Sequence, residues 1–475
     1  MAYSKKILIT TIITAVVILT VNPVQAEESI SLRTAVELGL KNNQEIINAV
    51  QQRNQLQREL KIIKANSDWQ LRTDFESSSS HFNDRILNAG DNEDNTQHQL
   101  DLALEAEKNY WSGLTINPEI YWREDDLSSD LRQEPEFRLS LTQDLYPSLA
   151  VSNEQNYVQQ QLELEYAQAE LEQKKNSKII TWVNDYLAVL RRQENYQLAQ
   201  QRYKLAEQEL EDVIAQKKIN EAGEIDVLKV KSKLKEAESQ LQSARTDYQN
   251  SKQDLYNQLD LSDEHKLVID EDTSYLKTLQ SKVKSNDLQL DKQDRLLELA
   301  RADNLELLQN KIKQASTENE VQWQQLEQKA DVNFLGSYDT KEEEVQAGIS
   351  INYNFYDSGQ SDLELENLTE ELATIKQEKS SILKEIKLEL QQLIDEVETR
   401  RINLERAEYS YERAQLAEQI AQKQLEQGSI NQLEFKDKKI AYQVAGVELK
   451  EAQDELLVSK LELLDYLGTN FLNRN

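Results

Sequence analysis

The sequence predicts an α+β membrane protein built from a duplicated helix–β–helix repeat. Three observations support this fold class. The pattern Glu-x-Gly-x-Ile-Asp/Asn-x-Leu occupies residues 221–228 and recurs at residues 426–433, which is 205 residues later (426 − 221). Long stretches beside each copy have the apolar spacing of coiled-coil helices. Shorter stretches upstream alternate apolar and polar residues, as β-strands do.

The longest helices are expected at residues 148–220 and 361–427, where apolar residues recur every three or four positions. No proline follows Pro147, so nothing in the later chain obstructs a helix. A helix of about 65 residues forms a rod about 100 Å long. Shorter helices are expected after each motif, at 226–259 and 431–467, and before the alternating segments, at 31–65 and 274–328.

The clearest strand signal covers residues 345–355. The apolar positions are Val345, Ala347, Ile349, Ile351, Tyr353 and Phe355, and the residues between them are small or polar. This length and alternation are typical of a transmembrane β-strand. Because the rest of the chain is predicted as long helices, no second layer is left to cover the apolar face. These six side chains are therefore predicted to face lipid.

Other alternating segments accompany this strand. A partner strand is expected at 332–338, and two strands of the first repeat are expected at 69–75 and 137–145. The first repeat also contains additional alternating material at 100–106 and 114–122, joined by a short turn at 107–113. Aromatic residues near the segment ends suit the boundary between lipid and water.

The first 26 residues have the features of a secretory signal peptide. Lys5 and Lys6 precede an apolar run, and a small-x-small pattern predicts cleavage after Ala26. The apolar run is about 15 residues long, whereas a membrane span needs about 20; a retained anchor is the alternative. The predicted organisation is a signal peptide at 1–26, a first repeat at 27–265 with β segments at about 69–146, and a second repeat at 266–475 with β segments at about 331–356.

Composition argues against several function classes. The chain has no cysteine, only three histidines and a net charge of −31. Thiol chemistry is impossible, a histidine metal site is disfavoured, and an acidic chain repels nucleic acid. No catalytic constellation or phosphate-binding loop is present, so we expect no enzyme activity, no metal and no cofactor.

The chain resembles the TolC-type outer-membrane efflux protein family over essentially all of its predicted mature length. Five segments carry the resemblance: residues 31–43, 145–147, 355–359, 425–428 and 466–468. Two features depart from the family pattern. Gln44 stands where family members usually have proline, and the first repeat has the additional alternating segments.

The resemblance implies a homotrimer with a β-barrel in the cell outer membrane and a periplasmic tunnel of coiled-coil helices. It also implies an exit duct for a tripartite efflux or type I secretion system, working with a periplasmic adaptor (membrane fusion) protein and an inner-membrane transporter. The family default is four strands per protomer, while the additional segments allow six, or a hairpin outside the membrane. A secreted or periplasmic coiled-coil tether without a pore is the alternative function.

By resemblance, the two motifs form helix–turn–helix tips that dock the adaptor. The residues assigned to this role are Gly223, Glu224, Ile225 and Asp226 in the first tip, and Gly428, Ser429, Ile430 and Asn431 in the second. Glu434 and Asp437 would form acidic rings at the tunnel aperture, where motif alignment gives Lys229 as the first-repeat equivalent of Glu434. The plainer interpretation is that glycine ends each helix, that Asp226 and Asn431 cap the next one, and that both acids face solvent.

Overall fold

The computed structural model describes residues 29–82, 95–124, 134–147, 152–261, 268–269, 274–285, 290, 292–341 and 343–469. The predicted signal peptide, its cleavage site and most of the segment 124–134 lie outside these residues. Within the described part of the chain, no helix is both long enough and apolar enough to cross a membrane.

Each of the four helices of the first repeat has a counterpart in the second repeat, which also contains one further helix, α5. The first repeat comprises β1 (Ser29–Ile30), α1 (Leu32–Asn42), α2 (Gln44–Asn66), β2 (Gln70–Phe82), β3 (Asn95–Asn109), β4 (Leu114–Glu124), β5 (Glu136–Tyr146), α3 (Ser152–Lys218) and α4 (Glu224–Gln258). The second comprises β6 (Val268–Ile269), α5 (Ser274–Ser285), α6 (Gln293–Asp303), α7 (Leu305–Glu327), β7 (Asp331–Asp339), β8 (Glu344–Asn352), α8 (Gln360–Glu426) and α9 (Gln432–Tyr466).

Corresponding helices have identical lengths. Helices α3 and α8 each have 67 residues, and α4 and α9 each have 35. Both α8 and α9 begin 208 residues after their counterparts (360 − 152 and 432 − 224). Helices α1 and α6 have 11 residues each, and α2 and α7 have 23. The duplication therefore preserves the helical skeleton residue by residue.

The single helices predicted at 31–65 and 274–328 are wrong, because each segment is divided. Asn43 and Asn304 separate the helices at matching places, and each side chain accepts backbone N–H groups of the helix that follows. An asparagine N-cap has an extended backbone, so it ends one helix as it begins the next. Gln44 is the first residue of α2, a position that proline also suits, which explains the departure noted above.

The sheet contains six antiparallel strands in the order β2-β3-β4-β5-β7-β8. The additional segments of the first repeat are therefore strands of the same sheet, and the chain provides six strands rather than four. The strand predicted at 345–355 is too long. It ends at Asn352, because its partner β7 begins at Asp331, directly opposite. Tyr353 and Phe355 lie beyond the sheet and pack edge to face, with ring centroids 5.0 Å apart.

Two apolar clusters hold the helices together. The larger one surrounds Trp182 and Tyr186 of α3 and includes residues of α1, α4, α5 and α9. The smaller one joins α6 and α8 to α9 around Ile386 and Leu463. The sheet lies outside both clusters, and its side chains are half-buried or exposed. The interior is therefore formed by packed helices, and no other element covers either face of the sheet within the described residues.

Candidate functional site

The sheet has one continuous apolar face. The strand pairing places these residues on it: Leu71, Phe75, Leu102, Leu104, Ile116, Ile120, Phe137, Leu139, Leu141, Phe334, Tyr338, Val345, Ala347, Ile349 and Ile351. Several are largely exposed, including Leu71 at 75% and Val345 at 74%. A soluble monomer rarely exposes an apolar patch that extends across a whole sheet. The predicted lipid-facing residues from Val345 to Ile351 belong to this face, whereas Tyr353 and Phe355 do not.

The opposite face is polar and carries ion pairs between neighbouring strands. Arg123 Nε lies 2.7 Å from Asp101 Oδ1, and Tyr121 donates a hydrogen bond to the same oxygen. The guanidinium of Arg138 lies between Glu119 at 3.6 Å and Asp339 at 3.1 Å. Tyr121 therefore belongs to the polar face and not to an aromatic belt.

Aromatic residues gather where the apolar face meets the helices. The Lys108 ammonium lies 5.7 Å from the ring centroid of Trp69 and 5.0 Å from that of Tyr110. Trp111 packs against Tyr157 at the start of α3, with centroids 4.9 Å apart. Aromatic rings beside a lysine, at one end of an apolar face, are typical of a boundary between lipid and water.

Five residues connect the helices in each tip. In the second tip, Gly428 has φ of 72°, and the N–H of Ser429 donates to the Gln424 carbonyl oxygen at 2.8 Å. In the first tip, Asn220 takes the left-handed conformation, with φ of 62°. The N–H of Glu221 closes the same helix end by donating to the Gln216 carbonyl oxygen at 2.9 Å. Asparagine is one of the few residues besides glycine that tolerates this conformation.

The structure changes the correspondence between the tips. Counted from the helix ends, Asn220 matches Gly428, and Gly223 matches Asn431 as the N-cap residue. The interpretation of Asp226 as an N-cap is therefore wrong. Asp226 is the third residue of α4, and its carboxylate accepts the Gly223 N–H at 2.8 Å. In α9, Glu434 has the same role and accepts the Asn431 N–H at 3.2 Å.

The alignment of Lys229 with Glu434 is also wrong. With both helices in register, Asp226 corresponds to Glu434, and Lys229 corresponds to Asp437. Each tip thus has one carboxylate bound at a helix N-terminus, where the helix dipole favours negative charge. Glu434 and Asp437 also line a groove of about 710 Å³ between the tips, with Lys233 and Lys438 on its walls.

The tips differ in their exposed side chains. The first tip exposes Ile219 at 65%, Ile225 at 80% and Leu228 at 58%. The corresponding residues of the second tip are Gln427, the half-buried Leu433, and Lys436, whose ammonium donates to Gln208 Oε1 at 2.9 Å. Ile219 and Leu228 were not predicted as site residues, because aligning the two glycines shifts the tips by three residues. Aligning the helix ends would have identified them.

No protein-family model matches the chain, and no curated protein matches it in sequence. Solved structures do match its fold. The Campylobacter jejuni CmeC outer membrane channel has a TM-score of 0.60 at 12% identity, with 92% of this chain and 85% of that chain covered. The outer membrane protein VceC from Vibrio cholerae has a TM-score of 0.60 at 13% identity, with 93% and 96% covered.

The open state of the Neisseria gonorrhoeae MtrE outer membrane channel has a TM-score of 0.57 at 12% identity, with 92% of this chain and 89% of that chain covered. At such low identity the likeness establishes the fold. The chain has the fold of these solved outer membrane channels, which is the fold that the sequence resemblance implied.

Proposed function

We propose that this protein is an outer-membrane channel that serves as the exit duct of a tripartite efflux or type I secretion system. It works as a homotrimer and catalyses no reaction. Substrate passes through it from an inner-membrane transporter and a periplasmic adaptor to the exterior. The likeness to solved outer membrane channels over more than nine-tenths of the chain supports this function.

The separation of the two sheet faces is the observation that carries the proposal. An apolar face exposed on one side and an ion-paired polar face on the other are the properties that a barrel wall needs between lipid and an aqueous lumen. A coiled-coil tether without a pore has no use for exposed leucine, isoleucine and phenylalanine on one side of a sheet. The aromatic residues near Lys108 suit the periplasmic boundary of the membrane.

The helices supply the periplasmic part of the duct. Helices α3 and α8 are each 67 residues long, which corresponds to about 100 Å. In this assembly the tips dock the adaptor through Gly223, Glu224, Ile225 and Asp226, and through Gly428, Ser429, Ile430 and Asn431. The exposed apolar residues of the first tip add Ile219 and Leu228 to that surface.

The aperture of the tunnel lies at the same tips. Threefold symmetry turns Glu434 and Asp437 into rings of carboxylates, which favour cations over anions. Because Asp226 corresponds to Glu434, the first tip contributes a third carboxylate ring, and Lys229 offsets part of the charge. We also propose that the signal peptide at 1–26 directs the chain across the inner membrane before the trimer assembles. The mature chain then consists of the two repeats, 27–265 and 266–475.

Substitutions on the two faces of one strand test this function. Ile349→Arg and Ile351→Arg place a charge in lipid, which costs about 2–4 kcal/mol at the middle of a membrane. Ser350→Arg, on the polar face between them, is the matched control. We expect the control to reach the outer membrane as a trimer and the other two variants to fail. Normal membrane assembly of both isoleucine variants would contradict the proposal.

A further inference from the structure

We propose that the barrel wall of this protein contains eighteen strands, six from each of three copies. In this assembly the free edge of β2 pairs with the free edge of β8 from the next copy. The inference rests on the trimeric channel proposed above and identifies the interface that closes it. A second copy of this chain is therefore the partner that covers both edges.

The additional hairpin is an integral part of the sheet. Every residue of β2 from Gln70 to Phe82 is paired with β3, and β3 is paired with β4 at residues 100–105 and again at 108–109. The row Thr73–Leu104–Ile120–Phe137 crosses four strands with each residue directly opposite the next. Moving the additional hairpin, β3 and β4, out of the wall would break this ladder on both sides of the hairpin, and each unpaired backbone group in lipid costs several kcal/mol.

The apolar band lies obliquely across the strands. On β8 it begins at Val345, opposite Tyr338, and extends toward the helices as far as Ile351. On β2, β3 and β4 the apolar rows lie farther from the helices, and the outermost joins Phe75, Leu102 and Trp122. A row of paired residues that starts at the centre of the band on β8 crosses five strand boundaries to reach β2. There it lies about five residues closer to the helices than the centre of the band on β2.

This shift gives the tilt of the strands. A strand rises about 3.3 Å per residue, and neighbouring strands lie about 4.8 Å apart. A displacement of about one residue per strand therefore corresponds to a tilt of about 35°, if the band lies level in the membrane. Closed barrels have tilts of about 35–45°. All six strands, including the additional hairpin, follow the geometry of one closed wall.

The two free edges are complementary. Strand β2 leads away from helix α2, and β8 leads back to helix α8, so neighbouring copies present them in antiparallel directions. Each has only one neighbour among the described strands. An open edge is not stable in lipid. Continuing the same stagger across the interface places Val345 opposite Phe75 or Ser77 and keeps the apolar faces on one side.

The strand number determines the width of the outlet. Barrel diameter grows roughly in proportion to the number of strands. Eighteen strands give an opening about one and a half times as wide as twelve. The additional hairpin therefore widens the membrane exit, while the helices, which have the same lengths in both repeats, leave the tunnel unchanged.

Disulfide trapping tests the interface directly, because the native chain has no cysteine. The full-length protein, in outer membranes, carries Val345→Cys together with Phe75→Cys or Ser77→Cys. We expect one of these pairs to yield covalent trimers after oxidation. If β2 and β3 lay outside a twelve-stranded wall, β4 would be the edge, and Val345→Cys with Ile120→Cys would give trimers instead. We expect none from that pair.

Phe75→Cys with Leu102→Cys is the internal control, because these residues are opposed within one chain. It should form a disulfide without joining chains, whereas a twelve-stranded wall that excluded β3 and β4 would pair β2 with β5 and give no such disulfide. Trimers from the Ile120 pair, absence of the Phe75–Leu102 disulfide, or no trimers from either edge pair would overturn the eighteen-stranded wall. Conductance of the same preparations separates the two proposals: conducting trimers trapped through Ile120 leave the channel function standing, whereas trimers that do not conduct contradict the function itself.

Discussion

The two repeats share a skeleton of four helices but differ in their strands and tips. Four helices of the first repeat have partners of identical length in the second, while the first repeat has four sheet strands and the second has two. The first tip exposes isoleucine and leucine where the second has glutamine and lysine. In the proposed channel, helix length is conserved between the repeats because both tips must reach the same level of one tunnel. Strand number and tip chemistry are free to diverge.

The contact between α3 and α9 contains a buried ion pair that is not repeated at the corresponding positions of the other helices. Arg191 Nε donates to Asp454 Oδ2 at 2.7 Å, and both side chains are largely buried. Burial raises the pKa of Asp454, and the Arg191 guanidinium opposes that rise. The corresponding positions are Thr399 and Thr246, whose hydroxyls donate to carbonyl oxygens of their own helices. The α3–α9 contact thus contains an ion pair that the corresponding positions on α8 and α4 lack.

We expect Arg191→Ala to lower the free energy of unfolding by about 3–5 kcal/mol, because it leaves a buried carboxylate without its partner. Thr399→Ala at the corresponding position should change it by less than about 1 kcal/mol. Thermal unfolding followed by circular dichroism measures both variants. Equal effects of the two substitutions would mean that the ion pair does not stabilise the α3–α9 contact.

The contact of α1 with α3 corresponds to that of α6 with α8, but the side chains that meet there differ in size. A Cβ on Gly39 would lie 2.6 Å from the fully buried Trp182 ring, and the corresponding residues in the second repeat are Ala300 and Leu390. We expect Gly39→Ala to cost about 1–3 kcal/mol through overpacking. Adding Trp182→Leu, which copies the second repeat, should recover part of that loss in the same melting experiment. A double variant less stable than Gly39→Ala would show that the pairs are not interchangeable.

The tips allow the same kind of exchange. Leu228→Lys gives the first tip the residue that Lys436 provides in the second. If the exposed apolar side chains dock the adaptor, this change should weaken its binding about tenfold, equivalent to about 1.4 kcal/mol. Gln427→Ser, on the second tip, is the control and should leave the affinity within about twofold. Biolayer interferometry with the adaptor that co-purifies with the native protein measures the affinity of both variants. Unchanged binding by Leu228→Lys would show that the first tip is not part of the docking surface.

The smallest expected effect concerns the end of α9. Burial raises the pKa of Asp465 to about 6, and a hydrogen bond with Asn176 opposes the rise. Since the folded pKa exceeds the unfolded value, this group makes the protein less stable as pH rises from about 4 to about 6. Asp465→Asn copies Asn257 of the first repeat and should remove this component, which we expect to be on the order of 1 kcal/mol after screening by solvent. If the melting temperatures of the native protein and the variant change equally with pH across that range, Asp465 does not have the raised pKa.

Much of the fold follows from the sequence, because helical and strand periodicities are strong over long segments. The long helices and the alternating segments lie close to their predicted places. The divisions at Asn43 and Asn304 were missed, since the residues on both sides favour helix and only the capping geometry reveals the break. The end of β8 was missed because its length is set by β7 and not by its own alternation, which continues to Phe355.

The candidate site was less predictable. Motif alignment pairs Gly223 with Gly428. In the structure, the residue with the backbone conformation of Gly428 at the same distance from the helix end is Asn220. The resulting shift of three residues obscured the equivalence of Asp226 with Glu434 and the exposure of Ile219 and Leu228. The number of strands was left open between four and six because alternation alone does not show which segments join one sheet.

Single-channel recording in planar bilayers shows whether the protein forms a pore. Purified trimers should insert and produce stable, discrete conductance steps. Because acidic residues outnumber Arg72, Arg123 and Arg138 on the polar face, a salt gradient should give a reversal potential that favours cations. Trimers that insert into the bilayer and conduct no ions would contradict the proposed channel function.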